Sequence, residues 1–126
     1  MKKVIKTNGA PAAIGPYSQA VVAPCQQVIF CSGQIALDPV SGALVGGTAA
    51  EQCRQVLKNL RAVLRAAGTD LEGVVKTTIY LSDIADFAAV NEEYAGHFPE
   101  NPPARAAVAV SSLPKGAKVM IDAVAL

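Results

Sequence analysis

This sequence of 126 residues contains one histidine, no tryptophan and three cysteines. With His97 alone, a metal site built from several histidines is excluded, and no acidic cluster takes its place. Cys25, Cys31 and Cys53 form no C-x-x-C pair, and their odd number argues against a disulfide framework. A Ser–His or Cys–His catalytic pair would need a nucleophile beside His97, which the sequence does not place there. We therefore interpret His97 as a surface or helix-end residue.

The sequence also lacks an excess of positive or negative charge, and it lacks long apolar runs. Lys plus Arg number 11 and Asp plus Glu 10, for a net charge of +1. The composition thus offers no electrostatic footprint for nucleic acid or an anionic membrane. No run approaches the ~20 apolar residues that span a bilayer, and the basic N-terminus lacks the apolar core of a signal peptide. We expect a cytosolic protein with no membrane segment, folded as a single domain over residues 1–126.

What the sequence does contain is a succession of helix and strand patterns without linkers or repeats. Thr48 and Glu51 form a capping-box pattern, and apolar residues then recur every three or four positions until Gly68, which predicts a long helix. Asp86 is a good N-cap for a second helix. Strands are predicted over residues 4–6, 17–22, 27–32, 74–81, 105–110 and 119–124. The order β-β-β-α-β-α-β-β predicts an α+β fold in which both helices cover one face of a sheet.

The distribution of apolar residues predicts an oligomer. In strand 74–81 the alternation places Val75, Thr77, Ile79 and Leu81 on one face, and Cys53 falls on the apolar stripe of the first helix. The uninterrupted apolar run 28–31 is typical of a strand covered on both faces. Since two helices cover only one side of the sheet, we expect another copy of the chain to bury the second side.

Arg105 is the most informative residue, because it places an ionised guanidinium inside the small, apolar run 102–110. A charge of this kind is costly to desolvate without a partner. It therefore meets either a carboxylate from elsewhere in the assembly, as a structural ion pair, or the carboxylate of a ligand in a bidentate contact. The residues alone leave both alternatives open.

Three other polar features lie on apolar elements, and each has a structural alternative. Asn91 shares the inward stripe of the second helix, where it either lines a site or caps nearby backbone. Ser32 and Gly33 end an apolar strand, either as an ordinary strand end or as a point where a ligand approaches the backbone. Tyr17 follows a Gly-Pro pair and is either a site residue or an aromatic lid on the core.

Six segments resemble the Rid family of reactive-intermediate deaminases, also called the YjgF family and sometimes named L-PSP-type endoribonucleases. They are residues 13–20 (AIGPYSQA), 32–35 (SGQI), 75–81 (VKTTIYL), 90–94 (VNEEY), 103–108 (PARAAV) and 113–117 (LPKGA). The resemblance implies a chorismate-mutase-like fold and a homotrimer with ligand clefts between subunits. It also implies hydrolysis of 2-iminobutanoate and 2-iminopropanoate to 2-keto acids and ammonia, without metal or cofactor.

The resemblance also implies roles for individual residues. Arg105 would hold the substrate carboxylate with two charge-assisted hydrogen bonds. Main-chain groups around Ser32, Gly33 and Ala107 would orient the imine and the attacking water. Arg105, Ala107 and Ser32 are therefore interpreted as the catalytic residues. The substrate-binding set adds Tyr17, Gly33, Asn91 and Met120.

Two positions depart from the family pattern. Ala107 stands where many deaminating members carry a cysteine, at a position the family uses through its main chain. Met120 begins the run MIDA at 120–123, where the deaminases resemble Glu-Ile-Glu-Ala and the first glutamate positions or activates water. A thioether accepts no proton, and loss of a general acid/base typically removes about 10²- to 10⁴-fold of rate. Asp122 matches the second acidic residue and is interpreted as structural.

The leading hypothesis is therefore an imine deaminase. Met120 motivates the alternative, a non-catalytic or regulatory module that binds 2-keto acids in the same cleft. A third function, ribonuclease, rests on the family's other name. The near-neutral charge and the lack of a pair of histidines disfavour it, so nucleic acid is not an expected partner.

Overall fold

The computed structural model describes residues 2–24 and 26–126, so Met1 and Cys25 lie outside the described residues. The helices are α1 (Ala49–Ala66) and α2 (Phe87–Ala95). The strands are β1 (Lys3–Ile5), β2 (Ala20–Val22), β3 (Ile29–Gln34), β4 (Val74–Leu81), β5 (Ala104–Ala109) and β6 (Val119–Ala125). Neither helix combines the length and the apolar content that a bilayer crossing needs.

The strands form two sheets. β1 and β2 make an antiparallel pair of their own, and the other four strands form a sheet in the order β3-β6-β4-β5. Within it β4 and β5 run parallel, and the remaining neighbours run antiparallel. The predicted α+β fold with a mixed sheet is confirmed. The predicted second strand begins too early, because the Ser18 N–H donates to Pro103 O at 3.1 Å and holds residues 17–19 as a loop.

The long helix begins and ends where the sequence predicts. Thr48 Oγ1 accepts from the Glu51 N–H at 3.1 Å, and Glu51 Oε1 accepts from the Thr48 N–H at 3.0 Å, so the capping box is complete. Gly68 follows the helix at φ +90°, a conformation that glycine adopts without strain. The apolar stripe lies in the core, and Cys53 is fully buried as predicted.

The second helix begins at the predicted place, but a different side chain caps its start. Asp86 occupies the N-cap position, but its side chain makes no capping hydrogen bond. Asp83 instead accepts from the Ala85 N–H at 2.9 Å and starts the short 3₁₀ turn Ile84–Asp86 that leads into α2. The capping role predicted for Asp86 is therefore carried by Asp83.

Strand β4 buries every second residue from Thr77 onward against the helices, as predicted. Val75 does not belong to this row: it is half-buried, and Val74 is fully buried in its place. The cause is a register shift between Val74 and Lys76 in the pairing of β4 with β6. A bulge of this kind changes which residues face the core on one side of it.

The second face of the four-stranded sheet carries no helix. It bears Phe30, Tyr80, Val108, Met120 and Asp122, and we call it the open face. Phe30 is 79% exposed and Val108 is 43% exposed. Within one chain β3 is thus covered on one side only, and its second side is the one that we expect another copy of the chain to bury. Exposed apolar residues on a sheet face are typical of an interaction surface.

Candidate functional site

Arg105 lies on the edge strand β5 inside a group of aromatic side chains. Its guanidinium carbon is 5.2 Å from the ring centre of Tyr94, 5.4 Å from that of Tyr17 and 5.7 Å from that of Phe87. Cations at such distances over a ring face are stabilised by the ring quadrupole. Its Nη1 donates a hydrogen bond of 2.6 Å to Asn91 Oδ1. We call these five residues the arginine cage.

Among residues 2–24 and 26–126, no carboxylate pairs with Arg105. The salt bridges there join Arg54 and His97 to Glu93, and Arg61 and Arg65 to Asp70. Burial lowers the pKa of Arg105 from its usual value, and the nearby Tyr94 and Tyr17 act in the opposite sense. A guanidinium stays protonated under such a shift. Of the two alternatives from sequence, an ion pair with a described residue of the same chain is excluded.

Gly15 lies next to the cage. A side chain at this position would begin 3.7 Å from Arg105 Nη2 and 3.6 Å from the Tyr17 ring. Both distances are ordinary van der Waals contact, so residue 15 borders the cage directly. The loop is tied to the segment before β5, because the Ser18 hydroxyl donates to Pro102 O.

The main chain of Ala107 faces the free edge of the sheet. Pro103 O accepts from the Ser18 N–H on the outer side of β5, whereas the Val110 N–H donates to β4. In a parallel strand the N–H and C=O of one residue point the same way, and successive residues alternate. Odd-numbered residues of β5 therefore point outward. Ala107 presents a donor and an acceptor two residues along from the arginine.

Ser32, Gly33 and Met120 form a second group. The register of β3 against β6 shifts between Cys31 and Gln34, which places a bulge at Ser32 and Gly33. The Met120 side chain packs directly on this bulge: a Cβ on Gly33 would lie 2.8 Å from Met120 Sδ. Glycine is therefore required for this contact as it stands, and the thioether covers the bulge.

The two groups lie on opposite faces of the sheet. The β4 partner of Arg105 is Thr77, which is fully buried on the helix side. The β4 partner of Met120 is Tyr80, which lies on the open face. Paired residues of neighbouring strands project from the same face. One chain by itself therefore does not bring Arg105 and Met120 into one cleft.

Two other titratable residues have structural partners. Asp122 Oδ2 accepts from the Tyr80 hydroxyl at 3.1 Å, and this hydrogen bond raises the pKa of Tyr80. His97 follows α2, and its Nε2 lies 2.9 Å from Glu93 Oε2. Glu93 also accepts from Arg54, which is the main reason that its pKa is lowered. In the described part of the chain, no three His, Cys, Asp or Glu side chains are grouped as metal ligands.

A groove of about 550 Å³ lies between β1 and the loop at Asn101, and Gly15 and Tyr17 also line it. Lys6 is the one charged residue that lines it, and Arg105 does not line it. Lys6 is exposed, and a flexible lysine fixes a ligand less firmly than a caged guanidinium. The arginine cage is therefore the candidate site.

Residues 7–126 match the family model described as Endoribonuclease L-PSP. The chain belongs to this family, the Rid family. A relative from Rattus norvegicus, a 2-iminobutanoate/2-iminopropanoate deaminase, is 54% identical over 126 residues, which are 100% of this chain and 90% of the relative.

Solved structures of the Rid family share the fold. YyfA from Yersinia pestis, of the conserved Rid protein family, is 48% identical with a TM-score of 0.76, over 99% of this chain and 98% of that one. A crystal structure of TdcF from E. coli with bound serine is 36% identical with a TM-score of 0.74, over 98% of both chains.

In this Rid-family chain the predicted site residues fall into two sets. One set lies around the cage: Tyr17, Asn91, Arg105 and, along the same strand, Ala107. The other lies at the β3 bulge: Ser32, Gly33 and Met120. Sequence reasoning missed Phe87 and Tyr94 as members of the cage. The signal was available, because they lie four residues before and three after Asn91, on the same stripe of α2.

Proposed function

We propose that this chain hydrolyses 2-imino acids, including 2-iminobutanoate and 2-iminopropanoate, to 2-keto acids and ammonia. The observation that carries the proposal is the arginine cage, in which a half-buried cation lies among aromatic rings and has no carboxylate partner among the described residues. A 2-imino acid carries one carboxylate next to its C=N bond, which matches one cation. The deaminases from Rattus norvegicus and Homo sapiens, 54% and 53% identical to the chain, support the same reaction.

The chemistry requires positioning rather than a covalent intermediate. Water adds to the carbon of the protonated C=N bond, the π electrons move to nitrogen, and the proton that the water oxygen gives up passes to nitrogen. The carbinolamine then loses ammonia as its C–O bond becomes a carbonyl, and the hydroxyl proton leaves with the ammonia as ammonium. Arg105 would fix the carboxylate in a bidentate contact, and the outward N–H and C=O of Ala107 would orient the imine and the water. The proposal includes no metal or cofactor, because a protonated imine is already electrophilic.

The bulge residues would enter the site from a neighbouring copy. In a homotrimer the open face of one subunit, with Ser32, Gly33 and Met120, would lie against the cage of the next. The exposed Phe30 supports burial of this face, and the arrangement accounts for site residues on opposite faces of one sheet. The proposal places the trimer in the cytosol, in keeping with the cysteine pattern.

The direct test is a coupled assay. A pyridoxal-phosphate-dependent dehydratase generates 2-iminobutanoate, and the decay of the imine is followed by trapping with semicarbazide. The wild-type chain should accelerate the decay, and Arg105→Ala should lose that acceleration. Arg54→Ala is the control, because Arg54 is an exposed arginine on α1 that pairs with Glu93. Equal acceleration by wild type and Arg105→Ala would reject the proposed anchor.

Met120 favours a second function. Its thioether accepts no proton, and it lies against Gly33 on the open face. The chain would then bind 2-keto acids without hydrolysing imines. In that case 2-oxobutanoate raises the melting temperature, wild-type hydrolysis stays at background, and Met120→Glu gains about 10²- to 10⁴-fold in rate. A fast wild-type rate that Met120→Glu leaves unchanged would exclude this function.

A further inference from the structure

A buried pair of hydroxyl groups lies directly behind Arg105. Thr77 and Tyr94 are both fully buried, and Thr77 Oγ1 and the Tyr94 hydroxyl are 2.8 Å apart. The next inward residues of β4, Ile79 and Leu81, are apolar, so this polar pair interrupts an apolar row. Burial raises the pKa of Tyr94 to about 12, which keeps the phenol neutral. Each hydroxyl satisfies the other, so neither is a buried polar group without a partner.

The Tyr94 side chain is held at two points. The hydroxyl is held by Thr77, and the ring packs on Phe98 with centroids 4.6 Å apart and planes 33° apart. Thr77 is also the strand partner of Arg105, so the two side chains leave the sheet side by side on the same face. The ring that Thr77 anchors is therefore the one that lies 5.2 Å from the guanidinium carbon.

Arg105 needs such a support, because a long flexible side chain loses much rotamer freedom when it is held in one orientation. Its one hydrogen bond among the described residues, to Asn91, fixes one amino group. The remaining orientation of the guanidinium plane must come from the rings. Of the three, Tyr94 is fully buried, whereas Tyr17 and Phe87 are half-buried.

We propose that Tyr94 is a positioning residue for Arg105, and that Thr77 acts through it by anchoring the phenol. The hydroxyl pair sets the place of the ring, and the ring sets the plane of the guanidinium that receives a carboxylate. The expected weakening of carboxylate binding in variants of this pair rests on the proposed role of Arg105 as carboxylate anchor. The expected increase in the mobility of the Arg105 side chain does not rest on that role, so the two effects are measured separately.

The first measurement needs no ligand. The Nε–H signal of Arg105 is assigned in nitrogen-15 NMR spectra by its loss in Arg105→Lys, and its exchange with water is measured. Tyr94→Phe keeps the ring but removes the anchor, and Thr77→Val removes the other hydroxyl with little change in shape. Each should raise the exchange rate about three- to tenfold, and Tyr94→Leu, which removes the ring, should raise it further. Wild-type exchange in all three variants would overturn the proposal.

The second measurement is the dissociation constant of 2-oxobutanoate, by calorimetry well below the melting temperature. The double variant Thr77→Val, Tyr94→Phe removes both hydroxyls, so neither is left unsatisfied and the protein should recover stability relative to either single variant. If the pair positions Arg105, this stable variant still binds about three- to tenfold more weakly than wild type. Wild-type affinity in the double variant would show that the pair only stabilises the core.

A matched control separates positioning from general loss of stability. Leu64 is fully buried in α1 and lies three turns beyond Cys53, whose Sγ contacts Val90 O of α2. Leu64→Val should lower the melting temperature without changing the exchange of Arg105 or the affinity for 2-oxobutanoate. Should Leu64→Val change both as much as Tyr94→Phe does, the proposal fails. If 2-oxobutanoate binds neither wild type nor variants, the proposed function fails, and the exchange rates still decide the role of Tyr94.

Discussion

At the residue scale, the choice of an amide beside Arg105 determines what the cage is able to bind. Asn91 Oδ1 accepts from the guanidinium at 2.6 Å and adds no charge. A carboxylate in that place would form an ion pair and cancel the charge that attracts an anion. The aromatic rings act in the same direction, because they stabilise a cation without neutralising it. The positive charge of Arg105 is thus stabilised in the cage without being neutralised, and it is still able to attract a carboxylate.

Asn91→Asp tests this directly, because it changes charge with little change in shape. We expect the new carboxylate to pair with Arg105 and to weaken 2-oxobutanoate binding at least about tenfold at pH 7. Asn91→Ala removes the hydrogen bond but leaves the charge free, so its effect should be smaller. The check is calorimetric titration of both variants. Binding by Asn91→Asp at wild-type strength would show that the charge of Arg105 does not carry recognition.

At the element scale, a single acidic side chain joins the end of α1 to the turn that leads into β4. Asp70 accepts from Arg61 and Arg65 at 2.9 Å each and from the Leu71 N–H at 2.7 Å. These hydrogen bonds, first that from Arg65, hold the pKa of Asp70 at about 2. Because the folded pKa lies below the ordinary value, Asp70 stabilises the fold above about pH 4. That contribution disappears as the pH falls toward 2.

Asp70→Asn should therefore lower the free energy of unfolding by about 1 kcal/mol at pH 7, since the ion pairs are exposed and screened. The difference from wild type should shrink as the pH approaches 2. Urea denaturation at several pH values measures both effects. Asp83→Asn is the matched control: Asp83 also starts a 3₁₀ turn, and no arginine pairs with it in the described part of the chain. A pH-independent difference for Asp70→Asn would contradict the assignment.

Local signals predicted the elements well, and long-range pairing caused the errors. The capping box and Gly68 gave the helix α1 with its ends, because both act within a few residues. Val75 was placed in the core row because alternation assumes an unbroken strand, and the bulge in β4 arises only when β4 pairs with β6. The early start predicted for β2 has the same kind of cause, since Ser18 is held by a segment more than eighty residues away.

In the candidate site, too, local features were predictable from the sequence and long-range strand pairing was not. Arg105 stands out in the sequence for a chemical reason, a charge in an apolar strand, and the structure gives it a cage. The strand order β3-β6-β4-β5, which separates Met120 and Gly33 from that cage, leaves no local trace in the sequence. The role of these two residues in the site stays a prediction, as does the single-domain organisation.

At the scale of the whole molecule, the open face is the surface through which a second copy would complete the proposed site. Phe30 is 79% exposed on β3, and the bulge with Met120 lies on the same sheet face. If the trimer forms through this face, Phe30→Glu should give monomers and abolish imine hydrolysis. Val40→Glu is the control, because Val40 is 95% exposed but lies in a turn. Light scattering after size exclusion gives the mass, and an active Phe30→Glu monomer would contradict an intersubunit site.

Mixed assemblies test which groups meet between subunits. Arg105→Ala removes the anchor, and Gly33→Trp blocks the bulge where Met120 packs. Each variant alone should be inactive. When the two are co-expressed, about a quarter of the intersubunit sites in random trimers receive both intact halves. Activity in the mixture near that fraction of wild type is expected, and no recovery would place both groups in a single subunit's site.

The role of Arg105 is decided by imine decay with wild type and Arg105→Ala at equal concentration, together with 2-oxobutanoate affinity for both. We expect acceleration by wild type, loss of at least about 10²-fold of that acceleration in Arg105→Ala, and loss of keto-acid binding in the same variant. Imine decay that proceeds equally fast with both proteins would contradict that role.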